Sequence, residues 1–404
     1  MVYGIVLEGG GARGAYQVGV WKALNKLGIE FKGVAGTSVG ALNGAMMVQR
    51  DLDQALEVWS EITPSKIINI DDKFFDKLKN RKISAEDTTT LIQYIKAFLH
   101  NRGLDTTPLH NLLYRYIDEK RIRKADIEFG IVTLSLTELA PLKLFLSDIP
   151  EGKLIDYLLA SASLPFFQRQ RIDNNTFIDG GVVDNLPISL LAEKGFQNII
   201  AVRLVRKGLK KWANCSDLNI TLIRPNESLG NMFDFTKERA INNIELGYYD
   251  TLRVFIGYQG SRYYIDACPD DDYFLHILLQ MDRAGLNRLR TQLGIRDMPE
   301  KRLILEKLVP LLADLLSLGR TASYRDILIT ILERAAAKSA VNRFQIYEYK
   351  KFEELVIESY IPKNQTPLPG ILKGNELLLR AKKEQFLDEI TEILFKGIRQ
   401  TNHE

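Results

Sequence analysis

Three short stretches of this chain hold residue types that could do chemistry. The first is Gly9-Gly10-Gly11-Ala12-Arg13-Gly14, which follows an apolar run, Val2–Leu7, and opens a helical pattern. Glycines allow φ > 0 and close backbone approach, so several N–H groups can converge on one small space. A helix N-terminus adds partial positive charge. Such a loop suits an anion: a pyrophosphate, or the transient oxyanion of an acyl-transfer reaction. The second stretch is Gly36-Thr37-Ser38-Val39-Gly40, a G-x-S-x-G between a strand pattern and a helix pattern. That is the context of a nucleophile elbow, in which a sharp turn lifts Ser38 Oγ off the sheet edge and small neighbours leave room for a substrate. The third is Asp179-Gly180-Gly181, just after Phe177–Ile178. It reads either as a plain Asp-Gly turn or as a carboxylate that other groups can approach closely.

The first stretch also fits G-x-G-x-x-G, the dinucleotide fingerprint, which needs an acid at the end of the second strand to hold a ribose. Glu30 lies before that strand, at the wrong end, and Ser38 follows it. A serine hydroxyl is a weak nucleophile and needs a base. The chain has four histidines, His100, His110, His276 and His403, and each reads as an ordinary surface or packing residue. This shortage favours the catalytic reading of Asp179. A carboxylate with an ordinary pKa of about 4 is a weak base at neutral pH, so a catalytic Asp179 is expected to be desolvated and its pKa raised.

Alternating strands and helices must position these residues. Val2–Leu7, Phe31–Gly36, Ile127–Leu134, Asn198–Leu204 and Asn219–Ile223 read as strands, and Gly14–Leu27 and Val39–Gln49 as helices, the pattern of parallel βαβ units. Asp173-Asn174-Asn175 between Arg171–Ile172 and Phe177–Ile178 signals a hairpin. A second hairpin is expected from Val254–Ile256 and Tyr263–Ile265 around Gln259-Gly260-Ser261, and beyond it the patterns are mostly helical. A domain boundary near residue 255 follows, giving domains 1–255 and 256–404, with 51–125 a candidate insertion or lid.

The 404 residues carry a formal charge of +3, with 46% hydrophobic and 26% charged side chains. These values suit a globular protein with a real core and exclude disordered, collagen-like and membrane-spanning chains. The near-balance of charge argues against nucleic acid as a partner. Cys215 and Cys268 are the only cysteines, too few for a disulfide framework or a cysteine zinc site. Asp71-Asp72 and Asp270-Asp271-Asp272 lack the spacing of a calcium loop and read as solvated turns, so no metal is expected. No signal peptide is evident, and the longest apolar run, Leu303–Leu318, is too short and too charged to span a bilayer, so a cytoplasmic location is expected.

Together GGGARG at Gly9–Gly14, GTSVG at Gly36–Gly40, and DGG at Asp179–Gly181 followed by Asn185-Leu186-Pro187 resemble the patatin-like phospholipases. The segment Ala160–Phe167, ASASLPFF, looks like a further block of that family. The resemblance covers roughly residues 1–255. It implies an α/β fold of three layers with a mainly parallel central sheet, joined here to a smaller, mostly helical C-terminal domain. It implies a Ser-Asp dyad without histidine, in which Ser38 is the nucleophile and Asp179 the general base. It assigns the oxyanion hole to Gly9–Gly14, through the amides of Gly10, Gly11 and Ala12. Gly36 and Gly40 form the elbow, and Gly180, Gly181 and Asn185 are expected to support Asp179. Arg13 is expected to tie its loop to a neighbouring carboxylate or carbonyl rather than to face substrate.

The substrate implied is a phospholipid or related acyl ester, with no cofactor. Two other readings share parts of this evidence: a carboxylesterase or thioesterase for short acyl chains, and a non-catalytic nucleotide- or anion-binding regulator. Lys73–Lys82 mixes cations with Phe74, Phe75 and Leu78 and could touch an anionic membrane surface, giving a peripheral location; a solvated helix with those three turned inward is preferred. The amphipathic pattern at Leu377–Ile398 could serve a homodimer or roof the site; intramolecular packing is preferred.

Overall fold

The short apolar stretches of the first half enter one eight-stranded sheet, most of whose central ladders are parallel. In this computed structural model, which describes residues 2–80, 88–101, 103–206, 217–295, 298–319, 321–362 and 381–401, the strands are β1 (Tyr3–Leu7), β2 (Phe31–Thr37), β3 (Glu128–Ser135), β4 (Ala140–Phe145), β5 (Gln170–Ile172), β6 (Asn175–Asp179), β7 (Asn198–Val202) and β8 (Asn219–Ile223). Their order is β5-β6-β3-β2-β1-β7-β8, with β4 also paired to β3. The β1–β2, β2–β3, β1–β7 and β7–β8 ladders are parallel. The ladders of β3 with β4 and β6, and of β5 with β6, are antiparallel. The Asp173 turn joins β5 to β6, with Asp173 itself at φ 53°.

One face of the sheet packs Val6, Ala35, Val132 and Ala201 against Ile188, Leu190 and Leu191 of the short helix α9 (Ile188–Glu193). The other face meets α2 (Val39–Val48) and α8 (Leu154–Ser161), and α1 (Ala15–Lys26) packs against α2; all three are rich in buried residues. Between α2 and β3 the described residues form five α-helices: α3 (Leu52–Ser60), α4 (Asp72–Lys79), α5 (Thr88–Asn101), α6 (Thr107–Tyr116) and α7 (Glu119–Lys124). Asp71 caps α4 by accepting Phe74 N–H, and Asp72 accepts Ser65 N–H and Oγ–H, so the Asp71-Asp72 pair organises a helix start rather than a free turn.

The long helix α10 (Lys237–Ile256) lies against α1. Two glycines set the spacing: a Cβ on Gly19 would fall 1.9 Å from Ile244 O, and one on Gly247 would fall 2.0 Å from Tyr16 O. The expected hairpin at Val254–Ile256 is therefore wrong on its first arm, which is the last turn of α10. Its helical period, burying Ile244, Leu246 and Leu252, overrides the local strand preference of valine and isoleucine.

The chain folds as two compact units, Met1–Ile256 and Gly257–Glu404. The second unit has its own core, in which Phe274, Leu289, Leu303, Ile327, Phe352, Phe386 and Ile390 are almost fully buried. Tyr264–Asp266 pairs in parallel with the distant segment Ile346–Glu348, and Ile265 also bridges antiparallel to Gln259 across the expected turn. Helix Lys383–Thr401 buries Phe386, Leu387, Ile390 and Leu394 in that core, which is intramolecular packing; residues 377–380 of the expected pattern lie outside the described residues.

Candidate active site

Sheet register brings the sequence motifs together. β4 occupies one edge of β3, and β2 and β6 share the other edge, end to end. Thr37, the last residue of β2, lies opposite Val132, while Asp179, the last residue of β6, lies opposite the next residue, Thr133. Residues far apart in sequence thus leave the sheet side by side. Thr37 Oγ1 donates to Asp184 O at 2.8 Å, tying the two strand ends together. Leu7, at the end of β1, lies opposite Gly36, so the Gly-rich loop emerges next to Ser38. All three motifs sit at the carboxyl end of β1 and β2, where parallel sheets place their ligands.

Ser38 has φ 55° and ψ −128°, a conformation costly for any residue with a Cβ and about 1–3 kcal/mol above the ordinary regions. Its surroundings hold it there. A Cβ on Gly36 would fall 2.3 Å from Gly40 O, and one on Gly40 would fall 2.3 Å from Leu7 O, so only glycine fits either side of the elbow. Ser38 N–H donates to Ser161 Oγ at 3.0 Å, and Ser161 Oγ–H donates to Val132 O at 2.7 Å. Sequence reasoning alone does not single out Ser161, although it lies in the ASASLPFF block; its partners are backbone atoms, which leave no local signal.

Asp179 is 3% exposed, with no cation among the groups acting on it. Oδ1 accepts Gly181 N–H at 2.7 Å, and Oδ2 is buried without a hydrogen-bond partner of ordinary geometry. Burial pushes the carboxyl above its usual range, opposed by the nearby Ser38 hydroxyl and the Gly181 amide. Gly180 is needed for close approach, since a Cβ there would fall 2.3 Å from Val132 O. Asn185 supports the other wall of the site: its Nδ2 donates to Gly9 O at 3.1 Å and its carbonyl accepts Gly9 N–H at 3.1 Å.

The Gly-rich loop offers fewer donors than its sequence promised. Gly9 N–H is engaged by Asn185 O, and Ala12 N–H donates to Met232 O at 2.8 Å. Among the described residues no backbone carbonyl accepts from Gly10 N–H or Gly11 N–H. The expectation for Ala12 therefore gives way: a backbone carbonyl from far along the chain already uses its amide. Arg13 points away as expected, its Nε donating to Gly230 O at 2.9 Å. Asn43 completes the support, its Nδ2 donating to Gly14 O at 3.0 Å and to Gln17 Oε1 at 2.8 Å while its Oδ1 accepts Trp59 Nε1–H.

Ser38 and Gly11 line a pocket of about 820 Å³ including its mouth. The remaining walls are almost wholly apolar, including Leu42, Met46, Trp59, Leu109, Leu113, Phe167 and Phe233. Much of that wall comes from α3 and α6, in the segment 51–125. None of the described histidines lines this pocket. Among the described residues no group of three or more His, Cys, Asp or Glu could hold a metal ion, and no helix is long and apolar enough to cross a membrane.

The family model of patatin-like phospholipases matches residues 5–192. This stretch is a patatin-like phospholipase domain. Its relatives include lysophospholipase NTE1 of Mycosarcoma maydis, 29% identical over 204 residues, which are 50% of this chain and 10% of the relative. Triacylglycerol lipase 4 of Saccharomyces cerevisiae is 26% identical over 274 residues, 60% of this chain and 29% of its own length. The chain thus spans a small part of the curated relatives it matches. Among solved structures, VipD from Legionella pneumophila aligns over 98% of this chain and 91% of its own at 14% identity, with a TM-score of 0.41. Gly230, Met232 and α10, which brace the patatin-like domain's loop and first helix, lie beyond the matched residues.

Proposed function

We propose that the Met1–Ile256 unit is a serine acyl hydrolase that cleaves fatty-acyl esters of lipids through Ser38 and Asp179. The observation that carries this reading is the apolar pocket lined by Ser38 and Gly11. The names of the relatives, lysophospholipase and triacylglycerol lipase, support an acyl-lipid substrate over a nucleotide.

The chemistry runs in two halves. Asp179 takes the proton of Ser38 Oγ–H as the oxygen attacks the ester carbonyl. Gly10 and Gly11 N–H groups receive the oxyanion; one such donor is typically worth about 3–4 kcal/mol. The C–O bond to the alcohol breaks, and the alcohol leaves with the proton from Asp179. Water then gives a proton to Asp179 and its oxygen to the acyl carbon. The Ser38–acyl bond breaks, the fatty acid leaves, and Ser38 Oγ regains the proton. Burial favours this role, because a carboxylate deprived of water is a stronger base.

A fluorophosphonate probe tests the reading. It should label the wild type at Ser38 and leave Ser38→Ala unlabelled, with release of fatty acid from phospholipid lost in both Ser38→Ala and Asp179→Asn. Labelling elsewhere, or turnover surviving Ser38→Ala, would sink it.

A further inference from the structure

A second apolar cavity of about 1050 Å³ including its mouth abuts the first. Phe75 and Leu78 of α4, together with Leu104 and Phe166, line it alone, whereas Ile67, Phe167, Phe233 and Phe235 line both cavities. Three of the four shared residues are aromatic, and Phe166 packs edge-on to two of them, Phe167 and Phe233, at centroid distances of 5.0 Å and 5.3 Å. Asn231 is the one polar side chain among the described residues lining the second cavity. Ser38 and Gly11 line the first cavity and not the second.

We propose that the second cavity holds the non-reacting acyl chain of a two-chain lipid, so that the site takes diacyl lipids in preference to single-chain ones. This rests on Ser38 as the nucleophile and goes beyond it by naming the substrate class. Two hydrophobic spaces that share lining residues match two hydrocarbon chains leaving neighbouring carbons of one glycerol. The chain in the first cavity presents its ester to Ser38. The chain in the second meets no nucleophile, so one water is consumed, one fatty acid leaves, and one single-chain lipid is left. That product cannot fill the second cavity, loses the burial it provides, and departs uncut.

Ether lipids, which cannot be hydrolysed, test binding apart from reaction. Full-length Ser38→Ala is titrated with a diether phosphatidylcholine and with its single-chain ether counterpart in the same detergent micelles, read by tryptophan fluorescence. Trp59 lines the first cavity and provides the signal. The two-chain lipid should bind at least tenfold more tightly, about 1.4 kcal/mol. Leu78→Glu in that background, which places a charge in the second cavity, should erase the preference, as should Phe75→Ser, which opens the same wall. Melting curves confirm that each variant is folded. Equal affinities for the two lipids, or variants that weaken both alike, would overturn the assignment. A two-chain preference in a protein without Ser38-dependent hydrolysis would refute the reaction and leave the cavity's occupant standing.

Discussion

Replacing Asp179 by asparagine should abolish the proposed hydrolysis and stabilise the protein. The carboxyl is 3% exposed, faces no cation, and has one oxygen without a hydrogen-bond partner. Its folded pKa is therefore raised above that of the unfolded chain. Such a group contributes stability that is fully present below its unfolded pKa and is lost as pH rises through the folded value. At neutral pH the wild type carries the whole deficit, and Asp179→Asn carries none. The amide has the same shape, can keep its oxygen on Gly181 N–H, and replaces the orphaned acceptor with a donor. Leaving a buried acceptor unsatisfied costs about 1–3 kcal/mol. For a unit of this size each kcal/mol shifts Tm by roughly 2–4 °C. Thermal unfolding of both proteins between pH 4 and 8 is the assay. The variant should melt higher at pH 7–8, and the two curves should converge toward pH 4. A variant that melts lower at neutral pH, or a gap that ignores pH, would refute the desolvation argument.

The pH dependence of turnover should follow from the same carboxyl. On a soluble ester, kcat/KM should fall on the acid side with a midpoint above that of an exposed aspartate, since the base must be ionised; a midpoint at the ordinary value would contradict this. Gly11→Ala should lower kcat by roughly a hundred- to a thousandfold, the usual cost of one lost oxyanion donor. Gly11 has φ 58°, and an added Cβ would fall 2.3 Å from Met232 O, forcing the loop to move; steady-state kinetics with unchanged KM would fit that cause. Ser161→Ala removes the acceptor of Ser38 N–H and the donor to Val132 O. Calorimetry should show a loss of about 1–3 kcal/mol, and turnover should drop as the elbow relaxes.

The strained turn at Ser38 was legible because such a turn demands particular residues. Only glycine fits at positions 36 and 40, so the constraint is written in the residue types themselves. The parallel strands were equally plain, their apolar runs falling within a residue or two of β1, β2, β3, β7 and β8. What the chain did not announce was contact between distant backbone atoms. That Ala12 N–H is taken by Met232 O, or that β6 ends beside β2 along β3, depends on register and not on any side chain. β4 also went unseen: Ala140–Phe145 begins Ala-Pro, and proline argues against a strand except at an edge. The aromatics of α4 read correctly only in part. Phe74 is buried and stacks on Tyr94, whereas Phe75 and Leu78 face a cavity; Arg81 and Lys82 lie outside the described residues.

The bracing of the Gly-rich loop sets the smallest piece of this protein worth expressing. A fragment ending at residue 192 would keep every recognisable motif, yet it would lose the carbonyls of Gly230 and Met232 and the interlocked glycine contact between Gly19 and α10. Glu8 would also lose Leu204 N–H, the amide its carboxylate accepts. The recognisable motifs and the compact unit therefore end at different places, and a boundary drawn at Ile256 rather than at the last motif keeps these contacts.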